Sequence, residues 1–122
     1  MHLAVCGNCA QETEQICSWI TQYCQASGCA VGLWPVRTPE QLRQLRQECI
    51  SAAFIGFDDT TAFLAARELR DRDRNCRIII INDTSRYAIR CHRIHALYFI
   101  VRPLETWHIV RSMELILGRR AY

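Results

Sequence analysis

Apolar residues in this chain alternate between short continuous runs and longer segments with helical spacing. Four runs are typical of buried strands: His2–Cys6, Ala30–Trp34, Ser51–Phe57 and Arg77–Asn82. The last of these, RIIIIN, is the clearest, because consecutive β-branched residues favour an extended chain and disfavour a helix. A fifth apolar run lies within residues 86–103. The pattern therefore predicts five strands.

A helical segment follows each predicted strand. The first ends at Gly28, the second begins with the capping sequence Thr38-Pro39-Glu40-Gln41, and the third spans Thr60–Arg72. The fourth lies in the sequence RYAIRCHRI, and the fifth spans Leu104–Leu117. The spacing predicts these inward-facing positions: Ile16, Ile20, Tyr23, Cys24, Leu42, Leu45, Cys49, Trp107, Val110, Met113 and Leu117.

Five strand–helix units with short connections favour an α/β domain built on a doubly wound parallel sheet. The chain has 122 residues, half of them hydrophobic, which fits one compact domain over residues 1–122. A core of this size needs neither a metal nor disulfides for its stability. Alternation alone leaves the strand order open.

The charge pattern carries less information than the apolar pattern. The formal net charge is +3, and arginines cluster at residues 67–77 and 86–93. Glu68, Asp71 and Asp73 are interleaved in the first cluster, so both clusters are interpreted as solvated helix faces. No apolar run approaches the roughly 20 residues that cross a bilayer, and the chain start does not resemble a secretory signal. We therefore expect a cytoplasmic protein without a membrane partner.

Eight cysteines would indicate a disulfide scaffold in a small secreted protein. Here most of them fall within the periodic segments. Cys17, Cys24, Cys49 and Cys91 are interpreted as small apolar side chains on helices, which suits a reducing compartment.

The segment Arg86–Pro103, RYAIRCHRIHALYFIVRP, has a distinctive order of residues. A Tyr-Ala-Ile helix start is followed by an Ala-Leu step, an aromatic residue in the strand, and a basic residue before proline. This order resembles the fourth helix and fifth strand of response-regulator receiver domains, particularly those of LytTR-type transcription regulators. The resemblance implies the flavodoxin-like (CheY-like) fold, in which five parallel strands follow the order 2-1-3-4-5 with five helices.

The resemblance also implies where a phosphorylation site would lie. Receivers hold Mg²⁺ with two acids after the first strand, where this chain has Gly7 and Asn8. Their acceptor aspartate corresponds to Gly56, their Thr or Ser after the fourth strand to Asn82, and their lysine after the fifth to Arg102. The sequence contains no lysine at all. We therefore expect a degenerate pocket with no metal, no cofactor and no catalytic residue.

Asp58 and Asp59 leave a second alignment open. A register shifted by two residues would place Asp58 at the acceptor position, but it would leave Gly56 inside the strand, where glycine packs poorly. Alternatively, one of the two aspartates caps the third helix. A further hypothesis is an ion pair between Arg102 and one of these aspartates, which would stand in for the phosphorylated state.

The resemblance further implies a surface for association. Phe99 lies where receivers keep a rotating aromatic residue, although a core phenylalanine is the simpler interpretation. Receivers commonly dimerise or contact partners through the fourth helix, fifth strand and fifth helix. The residues predicted on this surface are Arg86, Arg90, His92, Arg93, His95 and Tyr98.

The predicted function is a non-catalytic signal-transduction module that acts in transcription regulation, independently of phosphorylation. It would work by homodimerisation or by binding a partner, such as a sensor kinase or another protein. DNA would be bound only by a further domain after Tyr122.

Two other readings of the cysteines remain open. Residues 6–9, Cys-Gly-Asn-Cys, form a C-x-x-C motif between a strand and a helix, where thioredoxin-like thiol-disulfide oxidoreductases keep their dithiol. Against this, Cys6 falls within the strand pattern and five successive strand–helix units do not suit the thioredoxin strand order. A zinc site is the weaker reading, because residues 6–9 supply only two ligands, although Cys91, His92 and His95 lie close together in sequence.

Overall fold

Strands and helices alternate along the part of the chain that the structure describes. The structure is a computed structural model that describes residues 1–45 and 50–118, with the side chain of Asp59 left out of the description. In chain order the elements are β1 (His2–Gly7), α1 (Ala10–Ser27), β2 (Gly32–Val36), α2 (Pro39–Gln44), β3 (Ala52–Gly56), α3 (Asp59–Arg72), β4 (Arg77–Asn82), a 3₁₀ turn (Ser85–Tyr87), α4 (Ala88–Arg93), β5 (Tyr98–Val101) and α5 (Thr106–Ile116).

The strands form one parallel sheet in the order β2-β1-β3-β4-β5, which confirms the predicted flavodoxin-like topology. Gly7 pairs with Gly56, so β1 and β3 end at the same level. Asn82 at the end of β4 lies beside Val101 at the end of β5. The carboxyl ends of these strands therefore meet at one edge of the sheet, where ligands bind in open α/β folds.

Two apolar cores lie on opposite faces of the sheet, because successive strand residues point to opposite sides. In β4, Ile79 and Ile81 face the core beneath α1 and α5, while Ile78 and Ile80 face the core beneath α2, α3 and α4. Every residue of β4 after Arg77 is buried, as expected for a central strand covered on both faces. None of the described helices is both long enough and apolar enough to cross a lipid bilayer.

Strand β2 lies two residues later than the sequence pattern predicted, at Gly32–Val36. Helix α1 ends at Gly28 as predicted, in the left-handed conformation with φ of 73°. The Cys29 N–H then donates to the Cys24 carbonyl oxygen at 2.9 Å, so the chain completes this turn before it extends. β2 includes Pro35, which has no N–H to donate and is tolerated because β2 is an edge strand.

Helix α5 is rotated relative to the predicted orientation. Trp107, predicted to face the sheet, is 56% exposed. The buried residues are His108, Ile109, Ser112, Met113 and Ile116, while Val110 and Leu117 are half-buried. Two polar residues fit this face because their hydrogen bonds are made within the helix. His108 Nδ1 accepts from the Glu105 N–H at 3.0 Å, and the Ser112 hydroxyl donates to the His108 carbonyl oxygen at 2.7 Å.

Most of the predicted inward positions of the first two helices are buried. Ile16, Ile20, Cys24 and Leu42 are buried, Tyr23 and Leu45 are half-buried, and Cys49 lies outside the described residues. The start of α2 is as predicted, since the Thr38 hydroxyl oxygen accepts from the Gln41 N–H at 3.2 Å. The other described cysteines interpreted as apolar side chains are also enclosed, Cys91 fully and Cys17 partly.

Candidate functional site

The carboxyl ends of the strands surround an open depression of about 350 Å³, which we call the strand-end depression. Its lining residues are Asn8, Cys9, Glu12, Gly56, Asp58, Asp83 and Arg102. Four of the predicted pocket residues, Asn8, Gly56, Asp58 and Arg102, are therefore brought together as expected. Cys9, Glu12 and Asp83 also line the depression, where the sequence pattern did not predict them.

Arg102 is the centre of the strand-end depression. Its guanidinium binds the Glu12 carboxylate in a bidentate manner, with both Nε–Oε2 and Nη2–Oε1 distances at 2.8 Å. Nη2 also donates to the Gly56 carbonyl oxygen at 2.9 Å. The hydrogen bond and charge of Glu12 raise the pKa of Arg102 above its ordinary value. Both charged side chains are largely enclosed, at 19% and 22% exposure, so this pair is screened less than a surface ion pair.

A second carboxylate, Asp83, completes the surroundings of Arg102. The Arg102 Nη1 lies 3.3 Å from Asp83 Oδ1, and the aspartate side chain is 72% exposed. Asp83 follows directly on Asn82, whose side-chain oxygen accepts from the Asp83 N–H at 2.7 Å. The predicted pocket residue Asn82 is thus buried and shapes the turn that presents Asp83, and it is not among the residues lining the depression.

Gly56 lines the strand-end depression without a side chain, whereas Gly7, also predicted in this pocket, is not among the lining residues. A Cβ atom on Gly56 would lie 3.2 Å from the Cys6 carbonyl oxygen and 3.3 Å from Arg102 Nη2. A Cβ on Gly7 would lie 3.3 Å from Thr13 Oγ1. Absence of a side chain at position 56 is therefore what allows the Arg102 guanidinium to reach the end of β3.

The hypothesis that Arg102 pairs with Asp58 is wrong. Among the described side chains, the ion pairs of Arg102 are with Glu12 and Asp83. Asp58 is the N-cap residue of α3 and is exposed, but its side chain makes no capping hydrogen bond. Its N–H donates to Asn8 Oδ1 at 3.2 Å, which links the loops after β1 and β3. The corresponding prediction for Asp59 concerns a side chain outside the described residues.

Asking what balances the charge of Arg102 would have made Glu12 and Asp83 candidate partners beside Asp58, without deciding among the three. A basic residue at the end of a buried strand requires a nearby carboxylate. Glu12 lies in the first turn of the helix that follows β1, and Asp83 directly follows β4, so both lie at the edge of the sheet where Arg102 lies. Glu12 is 90 residues away from Arg102 in sequence, and no local pattern connects them.

Receiver domains are expected to hold Mg²⁺ at this edge of the sheet, and the donor set of this chain does not fit that ion. Both oxygens of Glu12 and the carbonyl oxygen of Gly56 accept hydrogen bonds from Arg102, so they are engaged with a cation that belongs to the chain. Asn8 accepts from the Asp58 N–H. Within residues 1–45 and 50–118, no group of three or more His, Cys, Asp and Glu side chains could hold a metal.

The cysteine-based alternatives find no support in the geometry. Cys6 is buried in β1, and desolvation raises the pKa of its thiol, which disfavours the thiolate that a redox enzyme needs. Cys9 is exposed at the N-cap position of α1. Cys91 points into the core while His92 is exposed, so these two neighbours do not converge.

The predicted switch and dimer residues lie around β5. Phe99 is half-buried and packs against the core beneath α2, α3 and α4, while Tyr98 packs against the opposite core. Arg86 is exposed in the 3₁₀ turn. Arg90 and Arg93 line a concavity between α3 and α4, so these two arginines lie on the side of α4 that faces α3. The exposed His92 and His95 lie near the end of α4.

The architecture is that of a single CheY-like α/β domain. No protein-family profile matches the sequence, and no curated protein matches it. Solved structures match the fold. The response regulatory domain of MrkE from Klebsiella pneumoniae superposes with a TM-score of 0.78 at 12% identity, covering 97% of this chain and 96% of that chain.

Two further solved structures show how broadly this fold is used. The REC domain of AraT, a response regulator from Geobacillus stearothermophilus, has a TM-score of 0.76 at 15% identity and covers 96% of this chain and 93% of that chain. A pilus assembly candidate, CpaE from Burkholderia thailandensis, has a TM-score of 0.76 at 11% identity and covers 98% of this chain and 99% of that chain. At these identities the likeness concerns the fold alone.

Proposed function

We propose that this domain is a receiver-like signal-transduction module that works without phosphorylation and without catalysis. The observation that carries the proposal is the bidentate Arg102–Glu12 ion pair, which lies across the strand-end depression. Gly56, at the end of β3, offers no carboxylate to phosphorylate. The depression thus contains its own matched cation and anion.

The contacts of Arg102 would also hold the domain in one conformation. Arg102 connects α1 through Glu12, β3 through Gly56, and the loop after β4 through Asp83. In a phosphorylation switch, an added anion forms new contacts that order such a loop. In this domain, resident carboxylates make the contacts permanently, so the output would not depend on a kinase.

The proposed output is association through the surface formed by α4, β5 and α5. Exposed apolar side chains on these elements support it: Ile89 is 77% exposed, Val101 is 39% exposed and Trp107 is 56% exposed. A contiguous exposed apolar patch marks an interaction surface, and we propose that these three side chains contribute to one. The proposal extends to a cytoplasmic role in transcription regulation, in which a homodimer or a protein partner such as a sensor kinase uses this surface. In a longer protein, DNA would be bound by another domain.

Phosphorylation is tested by incubating the protein with acetyl phosphate and Mg²⁺ and measuring its intact mass. We expect no adduct under conditions that phosphorylate a conventional receiver domain run in parallel. The Asp58→Ala variant serves as the matched control. A stoichiometric gain of about 80 Da, the mass of one phosphoryl group, that is lost in Asp58→Ala would overturn the proposal.

Association is tested by sedimentation velocity over a range of protein concentrations. Trp107→Glu should shift the distribution from dimer to monomer, because a charge at an apolar interface must be desolvated. Leu64→Glu is the control, since Leu64 is 57% exposed but lies on α3. A wild-type protein that remains monomeric at every concentration would contradict the homodimer.

A further inference from the structure

The surface between α3 and α4 carries arginines without acidic partners. Two concavities of about 540 and 480 Å³ both include Arg70 and Asp71, so they form one continuous groove. We call it the α3–α4 groove. Its arginines are Arg67, Arg70, Arg74, Arg77, Arg90 and Arg93. Among the described side chains, none of these six arginines lies within ion-pair distance of a carboxylate.

The acidic residues interleaved with these arginines in sequence are directed elsewhere. Glu68 pairs with Arg43 of α2, with a Nε–Oε1 distance of 2.6 Å. Asp73 accepts hydrogen bonds from the N–H groups of Asn75 and Cys76 at 2.9 and 3.1 Å, so its carboxylate belongs to the turn after α3. Of the described carboxylates, Asp71 alone lines the groove, so the groove keeps a large excess of positive charge.

Arg70 fixes the shape of the α3–α4 groove. Its guanidinium donates to four carbonyl oxygens, those of Asp73, Arg74, Ile94 and His95, at distances between 2.8 and 3.3 Å. Two of these carbonyls lie after α3 and two at the end of α4. The Arg70 side chain thus links the ends of α3 and α4, which form the two sides of the groove. These contacts fix the separation of the two helix ends in the absence of a ligand.

Apolar side chains lie among the arginines. Phe63 and Ile94 line one end of the groove and Leu97 lines the other. Phe63 stacks on Tyr87 with ring centroids 6.5 Å apart, and the Arg90 guanidinium lies 5.9 Å above the Tyr87 ring. A ligand that fits this lining combines negative charge with apolar groups.

We propose that the α3–α4 groove binds an acidic peptide segment, with apolar side chains among its carboxylates, from a partner protein. Arginine is well suited to this role because its planar guanidinium pairs with carboxylates in a bidentate manner. The site does not rest on the function proposed above: it shares no lining residue with the strand-end depression, and on α4 it uses the side that faces α3.

The charge of the rest of the chain favours a short peptide over a nucleic acid. The chain has 15 basic and 12 acidic residues, so outside the groove the acidic residues outnumber the basic ones. A long polyanion would extend beyond the groove onto this acidic remainder. The pI of about 8.5 is also below the range typical of nucleic-acid-binding domains.

The test uses a defined probe, a fluorescein-labelled peptide with leucines at helical spacing and glutamates at the remaining positions. Its binding to the whole chain is measured by fluorescence anisotropy at low and moderate salt. A peptide with glutamine in place of every glutamate is the neutral control. Saturable binding of the acidic peptide that weakens with salt, with no binding of the neutral peptide, is the expected result.

Charge-reversing variants locate the binding site. Arg67→Glu combined with Arg90→Glu should weaken binding at least ~10-fold, because two rim charges change sign. The matched control combines Arg37→Glu with Arg111→Glu, which reverses two exposed arginines outside the groove and should change the affinity far less. Unchanged far-ultraviolet circular dichroism verifies that both variants are folded.

Three results would overturn the proposal. The first is no saturable binding of the acidic peptide, and the second is an equal loss of affinity in the control variant. The third is tighter binding of a duplex oligonucleotide or of anionic lipid vesicles that depends on Arg67 and Arg90, which would assign the groove to another class of partner. A phosphorylated Asp58 would leave all three readouts unchanged, so the two proposals fail separately.

Discussion

At the carboxyl ends of the strands, Arg102 is paired with two carboxylates, whereas all arginines of the α3–α4 groove except Arg70 are exposed and pair with no described carboxylate. Both regions contain arginine side chains at their centre, and both lie on the same small domain. In the strand-end depression, the charge is neutralised within the fold. In the groove, it is not.

This difference separates structural from functional use of the same residue type. A neutralised and partly buried arginine contributes to stability, and its loss leaves Glu12 without a partner. An exposed, unpaired arginine contributes little to stability and is available for a partner. The two regions should therefore respond in opposite ways to substitution, with stability affected in one and binding in the other.

The largest expected effect is that of Arg102→Ala. It should lower the free energy of unfolding by about 2–3 kcal/mol, because Glu12 would be left partly buried and unpaired. Urea denaturation measures this loss, and hydrogen exchange should show faster exchange in α4, which follows the Asp83 loop. Arg111→Ala, on the exposed side of α5, is the control. A loss no larger than that of the control would show that Arg102 does not stabilise the fold.

Gly56→Ala tests whether a side chain at position 56 would displace the Arg102 guanidinium. A Cβ there would crowd a backbone oxygen and the Arg102 side chain, so we expect a loss of about 1–2 kcal/mol. Gly7→Ala is the matched comparison, because its closest neighbour is a side-chain oxygen, Thr13 Oγ1 at 3.3 Å, and the nearest backbone oxygen lies at 3.7 Å. Equal stabilities of the two variants in thermal unfolding would contradict the crowding at position 56.

Alkaline pH should weaken the fold through Cys76, which lines the second concavity of the α3–α4 groove. Burial raises the pKa of this thiol from 9.0 to about 12. Between these values the unfolded chain binds fewer protons than the native state, so stability falls as pH rises. From about pH 8 to about pH 10, the wild type should lose about 1 kcal/mol more than Cys76→Ala. Parallel pH profiles in urea unfolding would disprove this role.

The smallest effect on stability is expected in the groove. Arg90→Ala and Arg93→Ala should each change the free energy of unfolding by less than about 0.5 kcal/mol, since neither arginine pairs with a carboxylate that the structure describes. Arg70→Ala provides the contrast, because it removes four carbonyl contacts. If Arg90→Ala costs as much as Arg102→Ala in the same denaturation assay, the distinction between the two regions fails.

The sheet was predictable from the sequence because its signals are local. β4 lies where four consecutive isoleucines placed it, and Gly28 ended α1 as expected. β2 was misplaced because the turn after Gly28 continues through Cys29. The orientation of α5 was missed because His108 and Ser112 are polar yet buried, and an apolar pattern does not count residues whose hydrogen bonds are satisfied inside the helix.

The site was predictable in position but not in its contacts. Gly56, Asn8, Asp58 and Arg102 were expected at the carboxyl ends of the strands, and they line one depression there. The partner of Arg102 was not foreseen, because the choice between Asp58 and Glu12 depends on where α1 begins relative to the end of β5. That relation arises only when distant elements pack together.

Pro35 in β2 gives the sheet two unlike borders. A strand of another molecule that paired with β2 would lack one backbone hydrogen bond, because Pro35 has no N–H to donate. The other edge strand, β5, contains no proline. Growth of the sheet is thus blocked on one side. Two copies that paired through β5 would cover the second edge strand of each sheet. Such an assembly would stop at a dimer and would not grow into a fibre.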